Sequence, residues 1–265
     1  MYSGTIVPLV TPVDVEGRVD VPSVARLIES LHRDVTALMP ALSSGEGWLL
    51  DEKQWRDMVA ATKTHSHGLP VLAGIQLPET AQVVERAELA RELGADAVVV
   101  TTPFRAEISQ EEIFEHYRKV REAVDVPLFI YNEAAVSGNT IELETLLRIF
   151  DLPDVVGIKE SSGSAEFTRR LAHAAHSVPV FEGWENLLLE ARGVAGLVGP
   201  LANLEPELCN AMLVDPTPER QAEVDAACRR FGVFEDDWYR RVKTELCKRG
   251  VISTDLGIGG SREQR

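Results

Sequence analysis

Short apolar runs alternate with longer amphipathic stretches along most of the chain. Eight short runs are rich in Val, Ile and Leu and are apolar on both faces, as parallel strands covered by helices must be. These predicted strands lie at 5–10, 36–40, 70–75, 96–101, 127–131, 155–159, 179–182 and 193–198. Between them, the spacing of apolar residues predicts helices at 22–33, 51–65, 79–93, 110–123 and 164–175.

The residues between these runs support the same alternation. Ser109 followed by Glu112 predicts a capped helix start, and Gly94 follows a predicted helix just before an apolar run. Eight strands, each followed by a helix, close most economically into a (β/α)8 TIM barrel within this length. An open doubly wound sheet is the alternative, and the lack of a GxGxxG turn after the first strand disfavours it.

Beyond the last run, helical patterns at 205–214, 218–231 and 235–250 predict additional C-terminal helices. The sequence therefore predicts a barrel core over 1–204. The region 205–250 is expected to hold the last barrel helix and an appendage. The Gly-rich, charged stretch 251–265 is expected to fray.

The composition of the chain limits which classes of partner and which cellular compartment we expect for the protein. The 265 residues carry 27 Lys and Arg against 42 Asp and Glu, a net charge of −15, which disfavours nucleic acid and anionic membranes as partners. No apolar run reaches the roughly 18–20 residues of a membrane span, and no basic region precedes the apolar N-terminal stretch. The three cysteines form no paired framework, which favours a reducing compartment. We therefore expect a cytoplasmic protein.

Barrel enzymes carry their reacting groups at the C-terminal ends of strands and in the loops that follow. Lys159 closes one apolar run, so its amine is expected in the barrel mouth. Desolvation there lowers a lysine pKa and leaves the neutral amine free to attack a carbonyl. Tyr131 ends the adjacent strand and can share that cavity as a proton donor or acceptor. The structural alternatives are a lysine that reaches solvent or pairs with a carboxylate and a tyrosine bonded to a backbone carbonyl.

Other strand ends offer groups that can bind a substrate. Ser43 and Ser44, followed by a glycine, present hydroxyls and backbone N–H groups in a tight turn that suits a carboxylate. The alternative is an ordinary βα turn that binds no ligand. Ser161 follows the sixth strand, and Gly183 and Glu185 follow the seventh. The six histidines fall on predicted helices or at their ends, so we assign no metal site.

Several of these features occur in an order that resembles the dihydrodipicolinate synthase / N-acetylneuraminate lyase family, from about residue 4 to about residue 210. They are Thr11-Pro12, the turn 43–46, Tyr131-Asn132, the GIKESSG stretch 157–163 and Ala202-Asn203. The resemblance implies a class I, metal-independent aldolase or lyase in which Lys159 forms a Schiff base with a 2-oxo acid such as pyruvate, with no separate cofactor. It also implies that Tyr131 relays protons and that the turn containing Ser43 and Ser44, which we call the hydroxyl turn, holds the carboxylate. The resemblance further implies that the protein is a homo-oligomer, a tetramer or a dimer.

The sequence departs from the family pattern at positions expected to bind the part of the substrate beyond the 2-oxo acid. Val136 stands where dihydrodipicolinate synthases carry an arginine, so the chain looks closer to the lyase and sugar-acid aldolase branches. Arg105 replaces a tyrosine of the usual proton relay, and we expect it to bind an anionic group of the substrate, with a merely exposed side chain as the alternative. Glu133 is either a solvated loop charge or a ligand for an amine or hydroxyl. Glu185 matches one of two acidic groups that hold sugar hydroxyls in sialic-acid lyases.

Three functions are compatible with these residues. The first is a Schiff-base aldolase or lyase. A dehydratase of a hydroxylated 2-oxo acid uses the same lysine and the same imine, so the sequence does not separate the two. The third is a non-catalytic barrel that binds a small acid, which the altered loops motivate.

Overall fold

The structure, a computed structural model, describes residues 2–175 and 177–259. Its strands are β1 Gly4–Pro8, β2 Ala37–Met39, β3 Leu72–Ile75, β4 Ala97–Thr101, β5 Leu128–Asn132, β6 Val155–Glu160, β7 Val180–Glu182 and β8 Gly196–Leu197. Its helices are α1 Val21–Leu31, α2 Glu52–Thr64, α3 Thr80–Glu92, α4 Gln110–Ala123, α5 Ala134–Ser137, α6 Leu143–Phe150, α7 Ala165–Ala174, α8 Pro206–Val214, α9 Pro218–Phe231 and α10 Trp238–Lys248. Within these residues, every helix is too short or too polar to cross a membrane.

All eight strands are parallel, and they close into a barrel. Hydrogen-bonded neighbours follow the order β2-β1-β8-β7-β6-β5-β4-β3. The two ends of this series meet at Leu38 of β2, which bridges Val71 in parallel and donates its N–H to the Pro70 carbonyl at 2.9 Å. The prediction of a (β/α)8 TIM barrel with additional C-terminal helices is confirmed, and the open doubly wound sheet is wrong.

Successive strand residues face alternately into the barrel and out toward the helices. In β5, Phe129 and Tyr131 belong to the apolar cluster inside the barrel. β6 runs beside them in the same phase, with Gly157 paired to Phe129 and Lys159 paired to Tyr131. Ile158, between these two, packs in the outer cluster. This alternation is what directs the Lys159 side chain into the barrel.

The chain reversals on either side of β4 form as their residue types predict. Ser109 Oγ accepts the Glu112 N–H at 3.2 Å, and the Glu112 carboxylate accepts the Ser109 N–H at 3.0 Å, so α4 begins with a capping box. Gly94, after α3, has a φ of +76°, a left-handed conformation that glycine adopts without steric cost.

The connection from β7 to β8 differs from the prediction of a helix after every strand. It contains one 3₁₀ turn, Glu185–Leu187, and no α-helix. Gln221 of α9 covers this part of the barrel by donating to the Glu185 carbonyl at 3.0 Å and accepting the Leu189 N–H at 2.9 Å. The C-terminal region therefore supplies the packing that a helix would provide. Conversely, α5 and α6 lie in the β5–β6 connection, where no helix with stated bounds is predicted.

The three predicted C-terminal helices are present as α8, α9 and α10. The stretch 251–259, which is expected from the sequence to fray, packs against the barrel in the structure. Ile252 and Ile258 are buried, and Thr254 Oγ1 donates to the Val13 carbonyl at 2.6 Å. Burial of these apolar side chains outweighs the flexibility that the glycines suggest, and residues 260–265 lie outside the described residues. The division into a core over 1–204 and an appendage stays a prediction.

Candidate active site

Lys159 and Tyr131 lie side by side at the mouth of the barrel. They are register partners on the adjacent strands β6 and β5. The Lys159 Nζ atom lies 4.5 Å from the centroid of the Tyr131 ring. Both side chains are buried, with Lys159 only 4% exposed. The structure therefore brings together the two residues that the strand-end argument selected.

Burial controls the protonation of Lys159. Desolvation lowers the pKa of its amine from 10.5 to about 8, and the carboxylates of Glu133, Glu185 and Glu182 oppose this shift only in part. Within the described residues no carboxylate forms an ion pair with the Nζ atom, so the alternative of a paired structural lysine does not hold there. A large fraction of the amine is neutral near pH 8, and the neutral amine is the form that attacks a carbonyl.

Two buried carboxyl groups share the cavity wall with Lys159. Glu133 and Glu185 are buried, and burial raises the pKa of each above its usual range. Glu133 caps α5 through the Ala135 N–H, and Glu185 accepts the Leu201 N–H at 2.8 Å. The second carboxyl oxygen of each has no hydrogen-bond partner among the described residues. Glu133 is therefore not a solvated loop charge, and both groups can hold a proton or a polar ligand group.

The Tyr131 phenol is positioned by a serine. Its Oη atom lies 3.2 Å from Ser43 Oγ, which accepts a hydrogen bond from Gln76 Nε2 at 2.9 Å. Burial raises the pKa of the phenol well above its usual range, so the phenol keeps its proton at neutral pH. The site thus presents an O–H group beside the Lys159 amine, where it can exchange a proton with an oxygen on a bound substrate.

The turn that carries Ser43 is a 3₁₀ turn with little conformational freedom. A Cβ on Gly45 would come within 2.8 Å of the Leu9 carbonyl oxygen, and the Gly45 carbonyl accepts a hydrogen bond from Thr11 Oγ1 at 2.7 Å. Ser44 is buried, and its Oγ atom has no partner among the described residues. Ser43 lines the cavity, whereas Ser44 lies outside the lining.

A buried ion pair, which the sequence analysis missed, holds the end of this turn. Glu46 has a left-handed φ of +56°, and its carboxylate binds Lys243 of α10 and accepts the Ile258 N–H at 2.7 Å. Lys243 is fully buried and also donates to the Leu256 carbonyl at 2.9 Å. The partners are 197 residues apart, so no local pattern could reveal the contact. Helix α10 and the segment 251–259 therefore brace the hydroxyl turn.

A cavity of about 750 Å³ opens at these residues. The predicted site residues that line it are Ser43, Tyr131, Lys159, Ser161, Gly183 and Glu185. Gly183 lies so close to Ser161 that a Cβ would overlap the Ser161 Oγ atom. Its N–H also donates to the Glu160 carbonyl at 2.8 Å. These contacts tie the loop after β7 to the loop after β6.

Arg105 lies outside this cavity. Its side chain is 59% exposed and pairs with Glu112 at 2.5 Å, the carboxylate that caps α4. The cavity of its own chain therefore gives no support to the expectation that Arg105 binds an anionic part of the substrate, because Glu112 holds the guanidinium outside that cavity. Val136, in contrast, lines the cavity, so its apolar side chain changes the wall directly.

A group of aromatic side chains, which we call the aromatic wall, also belongs to the site and is not among the residues predicted from the sequence. Its members line the cavity and are Trp48, Phe104, Trp184, Phe234, Trp238 and Tyr239. Three of them belong to the segment 233–239, which comprises most of the loop after α9 and the first two residues of α10. A search limited to residues after barrel strands cannot find these three, although Trp48 and Trp184 do follow β2 and β7.

Three residues of the described part of the chain, away from the cavity, place metal-ligand atom types close together. Glu29 and His32 lie on or just after α1, His67 lies after α2, and their ligand atoms are within 4.8 Å of one another. The two imidazole rings stack at 4.3 Å, and His67 Nε2 contacts Glu29 at 2.9 Å. None of the three lines the cavity. The assignment of no metal to the active site stays a prediction.

Comparison with protein families and curated proteins gives consistent matches. The model of the dihydrodipicolinate synthetase family matches residues 1–254. A 4-hydroxy-tetrahydrodipicolinate synthase from Methylococcus capsulatus is 30% identical over 271 residues, which covers 97% of this chain and 92% of that protein. An uncharacterized DapA-like lyase from Halobacterium salinarum is 34% identical and covers 77% of this chain and 69% of that protein.

The comparison with solved structures agrees with these sequence matches. Dihydrodipicolinate synthase from Bacteroides thetaiotaomicron superimposes with a TM-score of 0.90 at 27% identity, covering 99% of this chain and 94% of that one. The synthase from Acinetobacter baumannii, solved in complex with pyruvate, has a TM-score of 0.88 at 25% identity and covers 100% of this chain and 94% of that one.

Proposed function

Because the chain belongs to the dihydrodipicolinate synthetase family, an enzyme family of the pyruvate aldolase and lyase type, we propose that Lys159 forms a Schiff base with a 2-oxo acid whose head group is pyruvate. The enzyme then cleaves or condenses that acid as a class I aldolase or lyase. The observation that carries the proposal is a buried Lys159 amine with a lowered pKa, 4.5 Å from the Tyr131 ring.

The proposed chemistry begins with the neutral amine. It adds to the keto carbon of the acid, and loss of water leaves a protonated imine. The imine withdraws electrons from the neighbouring carbon, which loses a proton and becomes an enamine. The enamine carbon then bonds to an aldehyde carbon, or the reverse step breaks that bond. Water finally releases the product and restores Lys159. Since the imine is the electron-withdrawing group, we propose no separate cofactor.

Neighbouring residues take the supporting roles. The Tyr131 phenol gives a proton to the aldehyde oxygen as that oxygen becomes an alcohol, and it receives the proton in the reverse direction. Ser43 orients the phenol through their 3.2 Å contact, and the turn that contains Ser43 and Ser44 binds the carboxylate of the acid. Ser161 and Gly183 shape the adjoining wall. A homo-oligomer in the cytoplasm, a tetramer or a dimer, remains our expectation for the assembly.

Trapping of the imine tests the proposal. Incubation with pyruvate and borohydride, followed by peptide mass mapping, is expected to place a reduced adduct on Lys159. The rate of adduct formation is expected to rise through a pH of about 8, as the amine loses its proton. Lys159→Met is expected to abolish the adduct, whereas Lys119→Met, at an exposed lysine on α4, is the matched control and retains it.

Two results would contradict the proposal. One is the lack of an adduct above pH 8 while pyruvate still raises the melting temperature, which would indicate a non-catalytic barrel. The other is an adduct that persists in Lys159→Met, which would place the reactive amine elsewhere. Product analysis then separates the two outcomes of the enamine: a lyase releases pyruvate and an aldehyde, whereas a dehydratase keeps all carbons in one product.

A further inference from the structure

The aromatic wall and the charges beside it indicate which substrate tail the cavity accepts. We propose, on the basis of the function proposed above, that the aldehyde partner of the 2-oxo acid is an uncharged aryl aldehyde. Acidic and polyhydroxylated aldehydes are the alternatives. The size of the cavity, the arrangement of its rings and the sign of its charges all favour this tail.

The cavity is much larger than a three-carbon head group. Its volume of about 750 Å³ lies within the range of roughly 300–1,000 Å³ that is typical of sites for drug-sized ligands. The Lys159 amine and the Ser43 turn account for one end of a substrate. The rest of the volume is available to a tail of the size of an aromatic ring.

Trp184 and Phe234 form one apolar surface of this space. The Trp184 indole N–H donates to the Ser161 carbonyl at 3.1 Å, which fixes the orientation of the ring. Its ring stacks with Phe234 at 5.8 Å between centroids and 28° between planes. Trp184 is 37% exposed and Phe234 is 41% exposed. A flat apolar ligand that covers these rings removes exposed apolar surface from water.

A second group of rings belongs to the same wall. Trp48 and Tyr239 meet edge to face at 5.8 Å, and Trp238 and Tyr239 do so at 5.7 Å. The segment 233–239 therefore supplies ring partners to tryptophans from two different barrel loops. Rings that pack against one another in these geometries restrict each other's motion, so the surface is preorganised for a ligand.

The charges in the cavity disfavour an acidic tail. Among the described residues that line it, Lys159 is the only cationic side chain. The acidic side chains that line it are Glu133, Glu185, Glu235 and Asp236. Val136 adds an apolar contact instead of a guanidinium, and Arg105 is held outside by Glu112. An anionic tail would meet acidic groups without a positive partner. In a polyhydroxylated tail, hydroxyls beside Glu133 and Glu185 can pair with the free carboxyl oxygens, but hydroxyls that cover the aromatic wall would stay unpaired.

The reaction is a balanced condensation. The enamine carbon of pyruvate on Lys159 bonds to the carbonyl carbon of benzaldehyde, and the aldehyde oxygen takes the phenolic proton of Tyr131. Water adds to the imine and releases 4-hydroxy-2-oxo-4-phenylbutanoate, which frees the Lys159 amine. The proton that pyruvate loses when the enamine forms restores the phenol.

The test compares aldehydes on the full-length protein after pyruvate trapping has been measured. Benzaldehyde, succinic semialdehyde and glyceraldehyde are each supplied with saturating pyruvate, and products are quantified by mass spectrometry. We expect kcat/KM for benzaldehyde to exceed the other two by at least about tenfold. A preference for succinic semialdehyde or glyceraldehyde, with the pyruvate adduct intact, overturns this inference and leaves the proposed function standing. The lack of any adduct overturns both.

A variant locates the preference in the aromatic wall. Phe234→Ala removes an exposed ring without opening the core, and it is expected to lower the ratio of kcat/KM for benzaldehyde to that for glyceraldehyde by about tenfold. Phe114→Ala, on α4 and outside the cavity, is the matched control that leaves the ratio unchanged. An unchanged ratio in Phe234→Ala contradicts the assignment of the tail to this wall. A preference of more than about tenfold for a cationic aldehyde, trimethylammonio-benzaldehyde, over benzaldehyde would instead contradict the inference that the tail is uncharged.

Discussion

Two lysines are buried in this fold, and the structure predicts that replacing them has opposite effects on stability. The Lys159 amine has no ion-pair partner within the described residues. Lys243 pairs with Glu46 and donates to the Leu256 carbonyl. We expect Lys159→Met to stabilise the protein at pH 7 and Lys243→Met to destabilise it. Because the two variants introduce the same side chain, each serves as the control for the other.

The expected gain in the free energy of unfolding of Lys159→Met follows from the pKa of the amine. A fall of the pKa from 10.5 to about 8 in the folded protein corresponds to about 3 kcal/mol, at about 1.4 kcal/mol for each pH unit. Below pH 8 the lysine is charged in both the folded and the unfolded chain, so the fold bears the whole cost. Between about pH 8 and 10.5 the folded lysine has lost a proton that the unfolded one retains, so wild-type stability rises with pH. The advantage of Lys159→Met is therefore up to about 3 kcal/mol at pH 7 and shrinks above pH 8.

The expected loss in the free energy of unfolding of Lys243→Met follows from the burial of its partner, Glu46. Removing the ammonium leaves the Glu46 carboxylate buried, with the Ile258 N–H as a remaining donor. Breaking a buried ion pair on one side costs about 3–5 kcal/mol, because the other charge stays desolvated and unpaired. The hydroxyl turn also loses its contact with α10, so adduct formation at Lys159 is expected to fall together with stability.

Urea unfolding followed by tryptophan fluorescence, at pH 7 and at pH 9.5, measures both effects. The expected order of unfolding free energies at pH 7 is Lys159→Met, then wild type, then Lys243→Met, with similar urea dependence in all three. The reasoning fails if Lys159→Met is less stable than wild type at pH 7, or if its advantage is the same at both pH values. A stable Lys243→Met variant would show that the Glu46 carboxyl can be accommodated without the lysine.

Two further substitutions test the cavity wall. Arg105→Ala is expected to change kcat/KM by less than about threefold, because the guanidinium lies outside the cavity and pairs with Glu112; a hundredfold loss in steady-state kinetics would mean that Arg105 reaches a substrate in another copy of the chain. Gly183→Ala is expected to lower stability by about 1–3 kcal/mol and to reduce the yield of the Lys159 adduct, because the added Cβ overlaps Ser161. An unchanged melting temperature and adduct yield in Gly183→Ala would contradict the close contact between the loops.

The apolar pattern predicts the barrel because every strand is covered on both sides. Each predicted run overlaps one observed strand. Most runs extend beyond the hydrogen-bonded ladder at one or both ends, whereas β1, β5 and β6 each extend one residue beyond their run at one end. The run at 193–198 contains a two-residue strand, Gly196–Leu197. The β7–β8 connection could not be predicted, because the packing that replaces its helix comes from Gln221, far along the chain.

The residues of the candidate site also divide into those that the sequence predicts and those that it does not. Lys159 and Tyr131 are predictable because the topology of a parallel barrel brings the ends of adjacent strands together. The position of Arg105 is not predictable from its place after β4, because the guanidinium is drawn to Glu112, a partner on the following helix. Glu46 and Lys243 are individually unremarkable charges in the sequence, and only the approach of α10 to the barrel makes them a buried pair.

The C-terminal region acts on both halves of the proposed site. Lys243 of α10 holds Glu46 and thereby the turn that orients Ser43, and the segment 233–239 supplies three rings of the aromatic wall. The reacting groups, by contrast, stand on β5 and β6, whose register does not depend on that segment. Substitutions within 233–239 are therefore expected to change which aldehyde is accepted while the Lys159 amine still condenses with pyruvate. Substitutions that break the Lys243 pair are expected to impair that condensation itself, because they release the turn beside Tyr131.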